Sequence, residues 1–234
     1  MQKCFSCKIP RVKPFELLGQ AISLDNTVIK LMRRGDEYIL LADGAILMSS
    51  RMHGSEEALA TFACPRARRL ERPSVLIGGL GMGFTLRATL DVLPPGASIV
   101  VAELLPAVVE WNRGPLGHLA GHPLNDKRVQ VITVDIFATL SSHPGRFDAV
   151  LLDVDNGPAA FTAAKNAGLY DKGGIAAAHA ALKTEGVLAV WAARDDRKFE
   201  QRLRESGFDV QVQRPRGRLK KDGPRHSIFL GHKT

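Results

Sequence analysis

Residues 75–84 read Val-Leu-Ile-Gly-Gly-Leu-Gly-Met-Gly-Phe, an apolar run that passes directly into glycines at 79, 81 and 83. Glycine lets a chain turn sharply and bring its backbone against a ligand, and a helix starting just beyond would aim free N–H groups at the same place. Glu103 lies about 20 residues past Gly83, the interval at which an acidic side chain reaches ribose hydroxyls in nucleotide-binding α/β folds. A third apolar run, 129–134, ends at Asp135, whose carboxylate suits an adenine amino group. A fourth, Phe147-Asp-Ala-Val-Leu-Leu152, delivers Asp153 and Asp155, which can orient an attacking amine or accept its proton. Gly79, Gly81, Gly83, Glu103, Asp135 and Asp153 thus form a candidate nucleoside site, with Asp153 and Asp155 as candidate catalytic carboxylates and no metal required.

Each residue also has a plainer reading. The glycines could serve only close helix–strand packing, Asp135 could cap the following helix, and Asp155-Asn-Gly-Pro158 is itself a turn sequence. Tyr170 and His179 are candidate supports, although His179 sits in an alanine-rich helical stretch. A dinucleotide site is disfavoured, because the loop is Gly-x-Gly-x-Gly rather than Gly-x-Gly-x-x-Gly and a pyrophosphate gains nothing from Asp135.

Two kinds of element must position this set. Before residue 65, short apolar stretches at 27–32, 37–41 and 45–48 are separated by Arg34-Gly-Asp36 and Asp43-Gly44, which read as the turns of an antiparallel meander. Ser55 with Glu56-Glu57 reads as a helix start whose acids favour the positive end of the dipole, and Pro65 stops that helix. From residue 74 onward strands and helices alternate, which argues for a parallel sheet covered by helices. Expected strands are 75–77, 98–102, 129–134, 149–152, 187–191, 210–213 and 227–230; expected helices lie near 85–93, 106–116, 174–183 and 196–206. No helix fits between the last two strands, so they should close the sheet as an antiparallel hairpin. The expected division is a small N-terminal β region over 1–65 and a nucleoside-binding transferase domain over 66–234.

A formal charge of +8 invites an anionic partner. The basic residues cluster at Arg66–Arg72 and from Arg214 to Arg225 without interleaved aromatics, so a nucleic-acid contact is the lesser reading beside a solvated loop. Three cysteines do not make a disulfide framework in a chain of 234 residues. Cys4-Phe-Ser-Cys7 has the spacing of half a zinc site, for which only Cys64 and scattered histidines could supply further ligands. No apolar run is long enough for a signal peptide or a membrane span, and a cytoplasmic location is expected.

The chain resembles the spermidine/spermine synthase family, within the class I S-adenosylmethionine-dependent transferase fold. The resemblance covers residues 20–232. It is carried by Asp43-Gly44 with Ser49, by the 75–83 loop with Leu86-Arg87, by Val101-Ala-Glu-Leu-Leu-Pro-Ala-Val-Val109, by Asp126-Lys-Arg-Val with Val134-Asp135, and by 147–153. It implies a Rossmann-like, mostly parallel sheet with an antiparallel C-terminal hairpin behind a small antiparallel β domain, and a homodimer. It also implies that Glu103 binds ribose, Asp135 adenine, and that Asp153 is the aspartate handling the amine. The polyamine half departs from the family. Met82 stands where the family has an aspartate facing the aminopropyl group, Leu47 replaces a glutamine, Leu105 replaces the second acid of Glu-x-Asp, and the Tyr-His pair is missing around 54–58. A buried polyamine without those partners would leave charge unpaired. The sequence therefore points first to methyl transfer from S-adenosylmethionine to an unidentified small acceptor. Aminopropyl transfer from decarboxylated S-adenosylmethionine to an amine is the alternative, and a non-catalytic nucleoside or nucleic-acid binder the third reading.

Overall fold

The computed structural model describes residues 13–154, 157–158, 167–217 and 223–234. Four strands, β1 (Glu16–Ile22), β2 (Val28–Arg34), β3 (Glu37–Ala42) and β4 (Ala45–Ser49), form an antiparallel meander in chain order. The β3–β4 turn places both Asp43 and Gly44 at positive φ, the geometry that matches strand twist in a tight hairpin. The sequence signal missed β1. Its residues Glu-Leu-Leu-Gly-Gln-Ala-Ile alternate poorly, and Gly19 is in place because the Trp111 ring lies where a side chain would go.

The second sheet has seven strands: β5 (Ser74–Gly78), β6 (Ser98–Ala102), β7 (Val129–Ile132), β8 (Phe147–Leu152), β9 (Leu182–Ala192), β10 (Phe208–Gln213) and β11 (Ser227–Lys233). Their order is β10-β11-β9-β8-β5-β6-β7. Strands β5 to β9 pair in parallel, and β11 runs antiparallel to both β9 and β10, giving the expected C-terminal hairpin. Chain order runs outward from β5 through β6 and β7 on one side, and through β8 and β9 on the other. The crevice between β5 and β8 is therefore the switch point at which open α/β sheets bind ligands.

Among the described residues the α-helices are α1 (Gly54–Ala63), α2 (Phe84–Val92), α3 (Pro106–Arg113), α4 (Ile136–Ser142), α5 (Ala167–Tyr170), α6 (Lys172–Ala181) and α7 (Arg197–Glu205). Because successive strand side chains point to opposite faces, Val75 and Ile77 join one core with α1, α2 and the meander's Leu31 and Leu40. Leu76 joins the other, with Ile175 and Phe199. Helix α1 starts at Gly54 with His53 at its cap, so Ser55 lies inside the helix rather than at its start. Helix α3 ends at Arg113, short of the expected 116, because Gly114 breaks it before a 3₁₀ turn over Gly117–Ala120. No described helix is long and apolar enough to cross a membrane.

Two basic or thiol features take structural places. Arg128 pairs with Asp126 at 2.8 Å, holding that carboxyl down at about 2, and also donates to the carbonyls of Leu90 and Leu93 at the end of α2. Cys64 is buried in the core, where desolvation pushes its thiol up to about 12; Cys4 and Cys7 lie outside the described residues. In the basic C-terminal loop Arg214 is paired with Asp195 at 3.0 Å, while residues 218–222 lie outside the described set.

Candidate active site

The loop after β5 is clamped from three sides. Gly79 has φ +88°, and a Cβ there would stand 2.4 Å from the Asp153 carbonyl oxygen, so the ends of β5 and β8 approach as only glycine permits. The Asp153 N–H donates to the Gly78 carbonyl at 2.9 Å, locking the two ends together. Asn112 of α3 donates its side-chain amide to the Gly81 carbonyl at 2.9 Å. Gly83 starts α2 at φ +84° and faces Asn112 and Pro123, so it supports the loop without lining the cavity above it.

Glu103, buried at the end of β6, accepts the Leu80 N–H on Oε2 and the Leu105 N–H on Oε1, both at 2.9 Å. These bonds fix the plane of the carboxylate at the cavity wall. Asp135 caps a helix and also borders the cavity. Its Oδ1 accepts the Ala138 N–H at 3.1 Å as the cap of α4, and the residue also lines the cavity. Asp153 receives the Thr85 hydroxyl on Oδ2 at 2.6 Å. Asp155 lies outside the described residues. The Tyr170 hydroxyl donates to the Val154 carbonyl at 3.2 Å, bracing the chain just after Asp153. His179 packs edge-on to Phe208 and lines no part of the cavity.

The cavity is also lined by Leu47 and Met48 of β4, by Ile29 of β2, and by Val108 and Trp191. Leu47 is an apolar wall, as its sequence position implied. Met82 is not: its side chain is wholly buried in the core and does not reach the cavity. Glu56 does line it, a residue that the sequence suggested only as a dipole partner at a helix start. It is 5% exposed, lines the cavity, and is raised to about 8 by desolvation and by the charge of Asp153. Burial raises Asp153 as well. A legible signal existed: Glu56, Leu59, Ala60 and Ala63 recur at the spacing of one helix face, and all four are buried.

Both carboxyls are raised above their unfolded values, so the folded state binds more protons than the unfolded chain over the intervening range. The sign follows. Their contribution to stability is fully present below the unfolded values and is lost as pH rises toward about 8. Wild-type protein is expected to lose more melting temperature between about pH 6 and about pH 9 than Glu56→Gln does. Equal losses in parallel thermal melts would show that the pair is not strained by charge.

The spermine/spermidine synthase domain model matches residues 52–203. The chain belongs to the spermine/spermidine synthase family. Members of that family with solved structures share its fold. A spermidine synthase in complex with the transition-state analogue AdoDATO aligns with a TM-score of 0.72 at 19% identity, over 93% of this chain and 72% of that one. The Thermotoga maritima spermidine synthase aligns at 0.73 and 18% identity, with the same coverage of each chain. A probable spermidine synthase from Corynebacterium glutamicum aligns at 0.63 and 18% identity, over 92% and 79% of the two chains. None of the curated proteins matches in sequence. At such identity the family likeness lies in the fold, and the chemistry must be read from this chain's own side chains.

Proposed function

We propose that this family member is an aminopropyltransferase, moving the aminopropyl group of decarboxylated S-adenosylmethionine to an acceptor amine. One observation carries the reading. The described residues lining the cavity include five carboxylates, Asp25, Glu56, Glu103, Asp135 and Asp153, and no lysine, arginine or histidine. S-adenosylmethionine would bring an α-carboxylate into that surface, and a like charge about 4 Å away in partly protein surroundings costs on the order of 4 kcal/mol. The decarboxylated donor keeps the primary ammonium and lacks that carboxylate. Preference for methyl transfer rested in part on Met82 replacing an acid at the cavity, but Met82 lies in the core and Glu56 supplies a cavity carboxyl from another element.

In this reading Glu103 receives the ribose hydroxyls and Asp135 the adenine amino group, while the Gly79–Gly81 backbone lies under the sulfonium end. Asp153, held by Thr85, takes the proton that the acceptor ammonium must lose to become a nucleophile. The amine lone pair then forms a C–N bond as the C–S bond breaks, and the electron pair returns to sulfur, releasing methylthioadenosine. Most of the acceleration comes from aligning the two reactants. The family affinity and the anionic cavity together favour this reading over a nucleic-acid contact, since polyanions would be repelled from the site.

Calorimetric titration with decarboxylated S-adenosylmethionine, S-adenosylmethionine and methylthioadenosine tests it. The decarboxylated donor is expected to bind at least roughly 10-fold more tightly than the carboxylated one, and incubation with putrescine as probe acceptor to release methylthioadenosine. Tighter binding of S-adenosylmethionine would return the protein to methyl transfer.

A further inference from the structure

Strand register aligns one row of residues across the sheet near the strand ends: Val190 of β9, Leu152 of β8, Gly78 of β5, Ala102 of β6 and Ile132 of β7. The next residues on four of those strands are Trp191, Asp153, Gly79 and Glu103, and all four line the cavity. Adjacent strands stand about 4.8 Å apart, so this order across the sheet sets an order along the ligand. With ribose at Glu103, the sulfonium at Gly79 and the reacting amine at Asp153, the rest of the acceptor falls at the end of β9. Trp191 occupies that place. Its side chain lies on the face shared with α1 and the meander, because Val187, Ala189 and Trp191 all join that core. Beyond it the His226 ring stands edge-on, at 4.8 Å between centroids. His226 Nδ1 lies 2.7 Å from the Ser55 hydroxyl oxygen, and burial lowers its proton affinity, so the ring is a neutral wall at neutral pH.

The charges available decide what suits that end. Asp195, which follows β9, is paired with Arg214 at 3.0 Å and does not line the cavity. Of the carboxylates that do, Glu103 and Asp135 belong to the nucleoside end, and Asp25 accepts the Thr27 N–H at 3.4 Å within the β1–β2 turn. Among the described residues Glu56 and Asp153 remain. Aminopropyl transfer already brings two cations to them, the donor's ammonium and the acceptor's reacting amine. A diamine would bring a third, buried against an indole. A cation–π contact returns less than the burial of an unpaired ammonium costs. We propose that Trp191 is the acceptor-selecting residue, and that the acceptor is a primary monoamine whose apolar tail packs on the indole. The inference rests on the aminopropyl-transfer reading and adds the class of acceptor. The acceptor ammonium gives one proton to Asp153, its lone pair forms the C–N bond, and the C–S electron pair leaves with sulfur. The product is a secondary ammonium with the apolar tail on one side and the aminopropyl group on the other.

Putrescine and n-pentylamine are the probes, because they match in length and differ only in carrying an ammonium or a methyl group at the far end. Methylthioadenosine release is followed with the full chain, decarboxylated S-adenosylmethionine and each amine in turn. Wild-type protein is expected to show a kcat/KM for n-pentylamine at least roughly 10-fold above that for putrescine. Trp191→Gln should bring the two within about threefold of each other, with rates referred to the fraction of protein that binds methylthioadenosine. Equal or faster use of putrescine by wild-type protein overturns the monoamine acceptor while aminopropyl transfer stands. A preference for n-pentylamine that survives Trp191→Gln overturns the role of Trp191. Should Trp191→Gln fail to fold, Trp191→Leu decides by length: its smaller side chain should move the best acceptor from n-pentylamine to n-heptylamine, and an unchanged optimum overturns the role of Trp191. Release with none of these amines overturns this inference together with aminopropyl transfer.

Discussion

Gly79→Ala is expected to abolish nucleoside binding and to destabilise the fold. At φ +88° any residue with a Cβ is strained, at about 1–3 kcal/mol. The added carbon would also meet the Asp153 carbonyl oxygen at 2.4 Å, and that oxygen is backbone, which cannot swing aside. Relief requires β5 and β8 to separate at the point where the Asp153 N–H is bonded to the Gly78 carbonyl, moving the Asp153 carboxylate with them. Gly35→Ala is the matched control, because Gly35 has φ +61° with open space around it. It should bear the backbone cost alone and bind methylthioadenosine normally. Thermal unfolding and calorimetry on both variants make the comparison. Methylthioadenosine affinity within about threefold of wild type (under 1 kcal/mol) in Gly79→Ala would show that this backbone does not underlie the ligand.

Glu103→Ala should be nearly as severe, for a different reason. The carboxylate satisfies the Leu80 and Leu105 N–H groups, and its removal orphans both donors, at about 1–3 kcal/mol each where water cannot replace it. The same change removes the ribose acceptor, so affinity for methylthioadenosine should fall at least roughly 100-fold in the folded fraction, as for lost charge-assisted hydrogen bonds. Glu103→Gln keeps the volume but turns an NH₂ toward one of the two donors, and should fall between wild type and alanine. Denaturant unfolding separates the stability loss from the binding loss. Normal affinity in the folded Glu103→Ala protein would leave Glu103 as a brace for the loop and no more.

The strand from Ser74, the glycine loop, helix α2 and the C-terminal hairpin were all legible from the chain, because each is specified by residues within a few positions of one another. Alternating apolar runs, glycine at the turn and the absence of helix-forming length between 213 and 227 are local properties that backbone geometry reads directly. The place of Glu103 was legible for the same reason, since it follows directly on β6, whereas the strand expected over 129–134 ends at Ile132 and Asp135 caps α4. Strand β1 was not, because its pairing with β2 and the seat of Gly19 beneath Trp111 come from distant chain.

The part of the cavity around Glu56 was decided only in three dimensions. The resemblance put Met82 at the position facing the aminopropyl group, and Glu56 was read only as a dipole partner at a helix start; in the fold Met82 is core and Glu56 lines the cavity. Sequence order determined which residues follow a strand, but not which face of α1 is packed inward, and it is burial of that face which desolvates Glu56 beside Asp153. His226 reaches Ser55 across 171 positions. The strand-end carboxylates belong to local pattern, whereas a buried charge pair is a property of packing, since desolvation and Coulomb repulsion depend on what lies within a few ångströms in space.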